Sequence, residues 1–181
     1  MEGMGVKGVL GVESPDPTLS MLSGLGLALS AGTALLVDLV GDLRTGRALG
    51  EIAEEGPSLA ELSPGRRGVA LVSGSGVDED RAASLIEAFS QHWPAVVVRC
   101  HRGQWPWPVV PVRPLLPGLL MPVDPIPAVW QPARTRMKPP GPGPVLPALS
   151  ARVVGDLLRG RVPLRSRWVG AWERVWEMPW A

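Results

Sequence analysis

Short, continuous apolar runs recur along the first two thirds of the chain, separated by segments of helical period. Gly8 to Glu13 (GVLGVE), Ala34 to Leu39, Gly68 to Ser73 (GVALVS), Ala95 to Arg99 (AVVVR) and Val109 to Val112 each have the length and β-branched content of a buried strand. Between the first two, after a turn at Ser14 to Pro17, Thr18 or Ser20 can cap a helix running to about Ala31. Arg44 to Glu55 reads as a second helix. Asp78 to Trp93 reads as a third, with Ala82, Leu85, Ile86 and Phe89 on one face and an acidic first turn suited to the helix dipole. Apolar strands alternating with helices are the pattern of a parallel sheet covered on both faces. The expected fold is therefore α/β, a three-layer open and mostly parallel sheet over residues 1–122, followed by a Pro-rich strap and C-terminal helices.

Hydropathy raises one rival. Pro17 to Val37 carries no charge for 21 residues, enough to cross a bilayer. Gly32, the β-type run Thr33 to Val37 and then Asp38 instead read as a helix that stops and a buried strand that starts. A soluble, cytoplasmic chain is the expectation, with a membrane-associated protein using residues 17–37 or the tail as the alternative. A single cysteine, Cys100, leaves no internal disulfide, and with only His92 and His101 beside it no zinc set.

Proline and charge divide the rest. Of 21 prolines, 15 fall between Pro94 and Pro147, and residues 123–147 leave no room for a helix or a central strand. That stretch reads as an extended strap or linker, with residues 148–181 as a helical tail. The net charge of +1 conceals 13 acids and 6 bases in residues 1–94 against 4 acids and 12 bases in residues 95–181. The simplest expectation is that the basic part lies along the acidic part of its own domain.

Ser14-Pro15, Thr18-Leu19, the small-residue helix after them and LLVDLVGDL from Leu35 to Leu43 resemble the start of MinD/ParA-type P-loop ATPases, in particular the CpaE/TadZ branch. GVALVSGSG and PAVVVRC fall where that family has its middle strand and its Walker B strand, and Val110 to Gly118 looks like a later core strand. The resemblance covers residues 6–118 and implies a P-loop-type sheet. It also implies partners: an active ATPase, or a component of a Tad-type pilus or secretion system or of division-site placement.

The chemistry that the family performs is missing. A phosphate loop needs glycines and a lysine, because backbone N–H groups and an ammonium must neutralise phosphate. Here only Asp16 and Pro17 stand between Ser14-Pro15 and Thr18-Leu19, where the family has about seven residues including GGVGK. Arg99 and Cys100 stand where an aspartate should hold magnesium. Asp38 is a relic position, read as capping its strand end or binding the loop that follows rather than holding a metal. The expectation is a pseudo-ATPase with no catalytic residue, no cofactor and no metal.

Other candidates give less. Cys100 and His101 are neighbours on an extended strand and point to opposite faces, so they make a poor nucleophile and base. Gly74 to Gly76 reads as a turn. Trp105, Trp107 and Trp130 among basic residues suggest stacking of nucleic-acid bases, although as covers for a hydrophobic edge they need no such partner. In the tail, Leu149, Val153, Val154, Leu157 and Leu158 form one amphipathic helix, Pro163 interrupts, and a helix over Arg165 to Glu177 aligns Trp168, Trp172 and Trp176 in one stripe. With Arg165 and Arg167 beside it, that stripe is either packed core, a protein-docking face, or a contact with an anionic membrane surface.

Overall fold

The computed structural model describes residues 8–42, 46–62, 68–118, 125–163 and 165–180. Six strands form one all-parallel open sheet: β1 (Gly8–Glu13), β2 (Ala34–Asp38), β3 (Val69–Ser73), β4 (Ala95–Arg99), β5 (Val109–Leu115) and β6 (Val129–Pro132), in the order β3-β2-β4-β1-β5-β6. Alternation along each strand sends its side chains to two cores. Leu10, Val12, Leu36, Val97 and Val112 join one, and Leu35, Val37, Val72, Val96 and Val98 the other.

The first core lies under α1 (Pro17–Ser30) and, from the C-terminal part, α5 (Ala151–Leu158), α6 (Arg167–Ala171) and α7 (Glu173–Trp176); the second lies under α2 (Leu49–Glu55) and α4 (Glu79–Ser90), with α3 (Leu59–Leu62) in the same connection as α2. The architecture is thus the expected three-layer α/β sandwich.

Helix α1 explains the uncharged run. It has 14 residues, and it is buried nearly all round, by the sheet on one side and by the C-terminal helices on the other. Leu19, Leu22 and Leu27 meet the sheet core, while Gly26 makes room for a tryptophan pair: a Cβ there would lie 2.5 Å from the Trp168 ring and 2.6 Å from Trp172 Nε1. No helix among the described residues is long and apolar enough to cross a membrane. The helix is capped neither by Thr18 nor by Ser20 but by Asp16, whose Oδ1 accepts the Leu19 N–H at 2.8 Å, with Pro17 at the first turn where its missing N–H costs nothing.

Three further expectations are refined. The helix anticipated from Arg44 starts at Leu49; residues 43–45 lie outside the described residues, and Gly46 to Ala48 run alongside β3, with the Ser73 N–H donating to Arg47 O and a bridge from Ala48 to Ser73. The Pro-rich segment, read as an extended strap or linker, supplies the edge strand β6. On the outer side of β6, the Ala128 and Trp130 N–H groups donate to Pro142 and Pro144 carbonyls, so prolines, which lack a donor but keep an acceptor, seal that edge. Finally, the basic and acidic parts meet at the strand ends, where Arg99 pairs with Asp38 and Asp42 and Arg113 with Glu13, while the tail packs on α1, across the sheet from acidic α2 and α4.

Candidate functional site

In an open parallel sheet, ligands bind beyond the carboxyl ends of the strands, where the chain order reverses direction. Here β1 lies between β4 and β5, and the loops after β1 and β4 leave toward different neighbours. A cavity of about 730 Å³ opens at that point, lined among others by Glu13, Ser14, Pro17, Ser20, Asp42, Arg99 and Arg113.

Its floor is made by Arg99, the last residue of β4. The register pairs Arg99 with Asp38 at the end of β2. Both side chains are buried, Arg99 to 0 % exposure and Asp38 to 1 %. The guanidinium donates from Nη1 to Asp38 Oδ1 at 3.2 Å and from Nε to Ser20 Oγ at 3.0 Å, while Nη2 donates to the Pro17 carbonyl at 3.2 Å and to Asp42 Oδ2 at 2.8 Å. A planar fork with fixed donors is the group that can serve four acceptors from three segments at once. Asp38 Oδ1 also accepts the Val40 N–H at 3.2 Å, the loop contact expected of it. A second pair, Arg113 with Glu13, closes the β1 and β5 side.

Three features that would attract phosphate are already occupied from within, while Arg102 is exposed on the cavity wall. The amino end of α1 is taken by the Asp16 carboxylate. The connection from β1 to α1 is Ser14 to Asp16, with the Asp16 N–H turned onto Ser14 Oγ at 3.3 Å. The positive charge at the end of β4 is consumed by two aspartates. No group of three or more metal-ligating side chains occurs among the described residues.

The remaining candidates fall into place structurally. Cys100 is buried, its thiol pushed up to about 12 by burial, with the Glu13 charge adding to the effect, whereas His101 is exposed, so the two form no nucleophile–base pair. Gly74 to Gly76 is a turn tied to its neighbours, Gly74 N–H to Asp38 O at 2.8 Å and Gly50 N–H to Ser75 O at 3.0 Å, and Asp78 caps α4. Trp105 and Trp107 stack on each other with ring centroids 5.5 Å apart and cover the second core near β1. Trp130 is buried in the strap with Nε1 donating to Pro142 O.

In the tail, Trp168 and Trp172 are buried and meet edge-to-face at 5.6 Å, and Trp168 Nε1 donates to Gln131. Trp176 is half-buried, its Nε1 held by Leu27 O and Ser30 Oγ. As docking residues, Trp168 and Trp172 are corrected to core: their rings are spent on α1. Of that set Arg165 and Arg167 remain exposed.

Sequence reasoning placed Arg99 at the site but not its partners Ser20 and Asp42. The available signal was a cation ending an otherwise apolar run, opposite an aspartate ending another. No family model, no curated protein and no solved structure matches the chain.

Proposed function

We propose that the protein is a non-catalytic, MinD/ParA-like adaptor or positioning factor of the CpaE/TadZ type, a pseudo-ATPase working through protein–protein contacts in a Tad-type pilus or secretion system or in division-site placement. The observation that carries this reading is the Arg99 guanidinium, buried at the carboxyl end of β4 and held by Ser20, Pro17, Asp38 and Asp42. That internal cation compensates Asp38 and fills the position beside it that a magnesium ion would need, leaving one net negative charge on the half-exposed Asp42. The Asp16 carboxylate at the start of α1 repels the phosphate that would come with it. The membrane reading draws no support from α1, whose apolar surface is covered within the chain. The nucleic-acid reading loses two of its three stacking platforms, Trp107 and Trp130, to burial.

The test is thermal unfolding with and without millimolar Mg-ATP. A ligand that binds the folded state at 100 times its Kd stabilises by about 2.7 kcal/mol. The expected result is no shift; a dose-dependent rise in Tm overturns the pseudo-ATPase reading.

A further inference from the structure

The corner made by α5, the following connection and the start of α6 is exposed, basic and partly apolar. Arg152, Arg159, Arg161, Arg165 and Arg167 are all exposed there, and none of them joins an ion pair among the described residues. Leu158 and Val162, 58 % and 56 % exposed, stand between these arginines. A notch of about 360 Å³ there is lined by Arg152, Val153, Arg161, Val162 and Pro163, with Asp156 as its one acid.

Across the sheet, α2 and α4 present Glu51, Glu54, Glu55, Asp78, Glu79, Asp80 and Glu87, all exposed. Arg47 is shared among Glu51, Glu55 and Glu61, and the α4 acids have Arg81 as their one cationic neighbour on that helix. The two faces are complementary in charge and lie on opposite sides of one rigid sheet, so neither can satisfy the other within a molecule.

We propose that the α5–α6 corner docks on the α4 face of a second copy of this chain. A lipid surface or a nucleic acid would satisfy the arginines and leave the acidic face unpartnered, whereas a second copy matches both with one contact. Nucleic-acid phosphates also offer nothing to Leu158 and Val162. On α4, Ala88 is exposed beside Glu87, one turn from Ser84, a low spot on which those two side chains can close. Because the two surfaces differ and face opposite ways, the contact is head-to-tail, so copies add one to the next instead of stopping at a two-fold dimer. This inference is independent of the pseudo-ATPase reading, since self-association and nucleotide binding are read in separate assays.

The experiment is sedimentation velocity of the full chain at tens of micromolar, in about 10 mM and about 1 M NaCl, across which the Debye length falls from ~30 Å to ~3 Å. The wild type should sediment as growing oligomers in low salt and as a monomer in high salt. One variant neutralises the acidic face (Glu79→Gln, Asp80→Asn, Glu87→Gln) and another the basic corner (Arg152→Gln, Arg159→Gln, Arg161→Gln), with circular dichroism to show that both stay folded. Each alone should lose at least tenfold in association. Mixed together they should form a 1:1 dimer and no larger species, because each retains one working face.

A wild type that is monomeric in low salt overturns the proposal. So does association that either variant retains in full, or a mixture that fails to dimerise. A monomer whose basic corner instead binds phosphatidylserine vesicles or single-stranded DNA assigns the corner to those partners and likewise overturns it.

Discussion

Replacing Arg99 by methionine isolates the interaction at the centre of the site. Methionine keeps much of the length of the arginine stem, so the change removes the guanidinium with little loss of packing. Asp38, 1 % exposed, would keep the Val40 N–H but lose the guanidinium that compensates its charge. Stripping one partner from a buried pair costs about 3–5 kcal/mol. The Asp42 contact adds little, because that carboxylate is 54 % exposed and water screens it. With a urea m value of about 2 kcal/mol/M, the unfolding midpoint should fall by roughly 1.5–2.5 M. The double variant Arg99→Met with Asp38→Asn removes both charges and should regain most of that loss, even if the single variant is too unstable to purify. Urea unfolding at pH 7, followed by tryptophan fluorescence, measures both. A single variant that loses less than about 1 kcal/mol, or a double variant no more stable than the single one, would refute the claim that Arg99 neutralises a buried carboxylate.

Trp172→Ala should cost about 3–5 kcal/mol in thermal or chemical unfolding, because a fully buried ring leaves a cavity between α6 and α1. Gly26→Ala should cost about 1–3 kcal/mol in the same assay, since the added methyl must push the Trp168 and Trp172 rings away from α1. Cys100 should be silent to a thiol reagent in the native protein and react with one equivalent after denaturation. Its thiol is held up at about 12, while an unfolded thiol ionises near ~8.5, so its contribution is intact below ~8.5 and is lost as pH rises toward 12. The fall in Tm between pH 9 and 11 should therefore be shallower in Cys100→Ala.

The parts of the fold that were legible are those in which one local pattern had one structural answer. Continuous apolar runs such as Ala34 to Asp38 and Ala95 to Arg99 are buried on both faces, and only a central parallel strand uses them that way. Strand β6 was not legible, because proline argues against strands whose two edges are both paired. Its partners are β5 on one side and a proline strap on the other, where Pro142 and Pro144 supply acceptors and Leu146, which is not a proline, the donor to Trp130 O. Likewise β5 extends past Val112 to Leu115 through Pro111 and Pro114, pairing with β1 along its first half and with β6 along its second. The tryptophan stripe was legible as an apolar face but not as to what covers it. Gly26 in α1, which sits under both rings, was the missing half of that pattern. The Arg99 cluster joins residues 61 and 79 positions apart, and no local rule connects a strand-end arginine to Ser20.

The double covering of α1 has a consequence for how the chain is made. Half of its cover is not synthesised until very late: Trp176, which hydrogen-bonds to Leu27, lies 149 residues further along. At ribosomal speeds of about 5–20 residues per second, that separation corresponds to roughly 7–30 s. For that interval the emerging polypeptide displays an uncharged helix of leucine, serine and glycine with one flank bare, a surface that holdase chaperones bind and that truncated products would never conceal. Premature termination before the tryptophans would therefore yield aggregates or degradation rather than a smaller working protein.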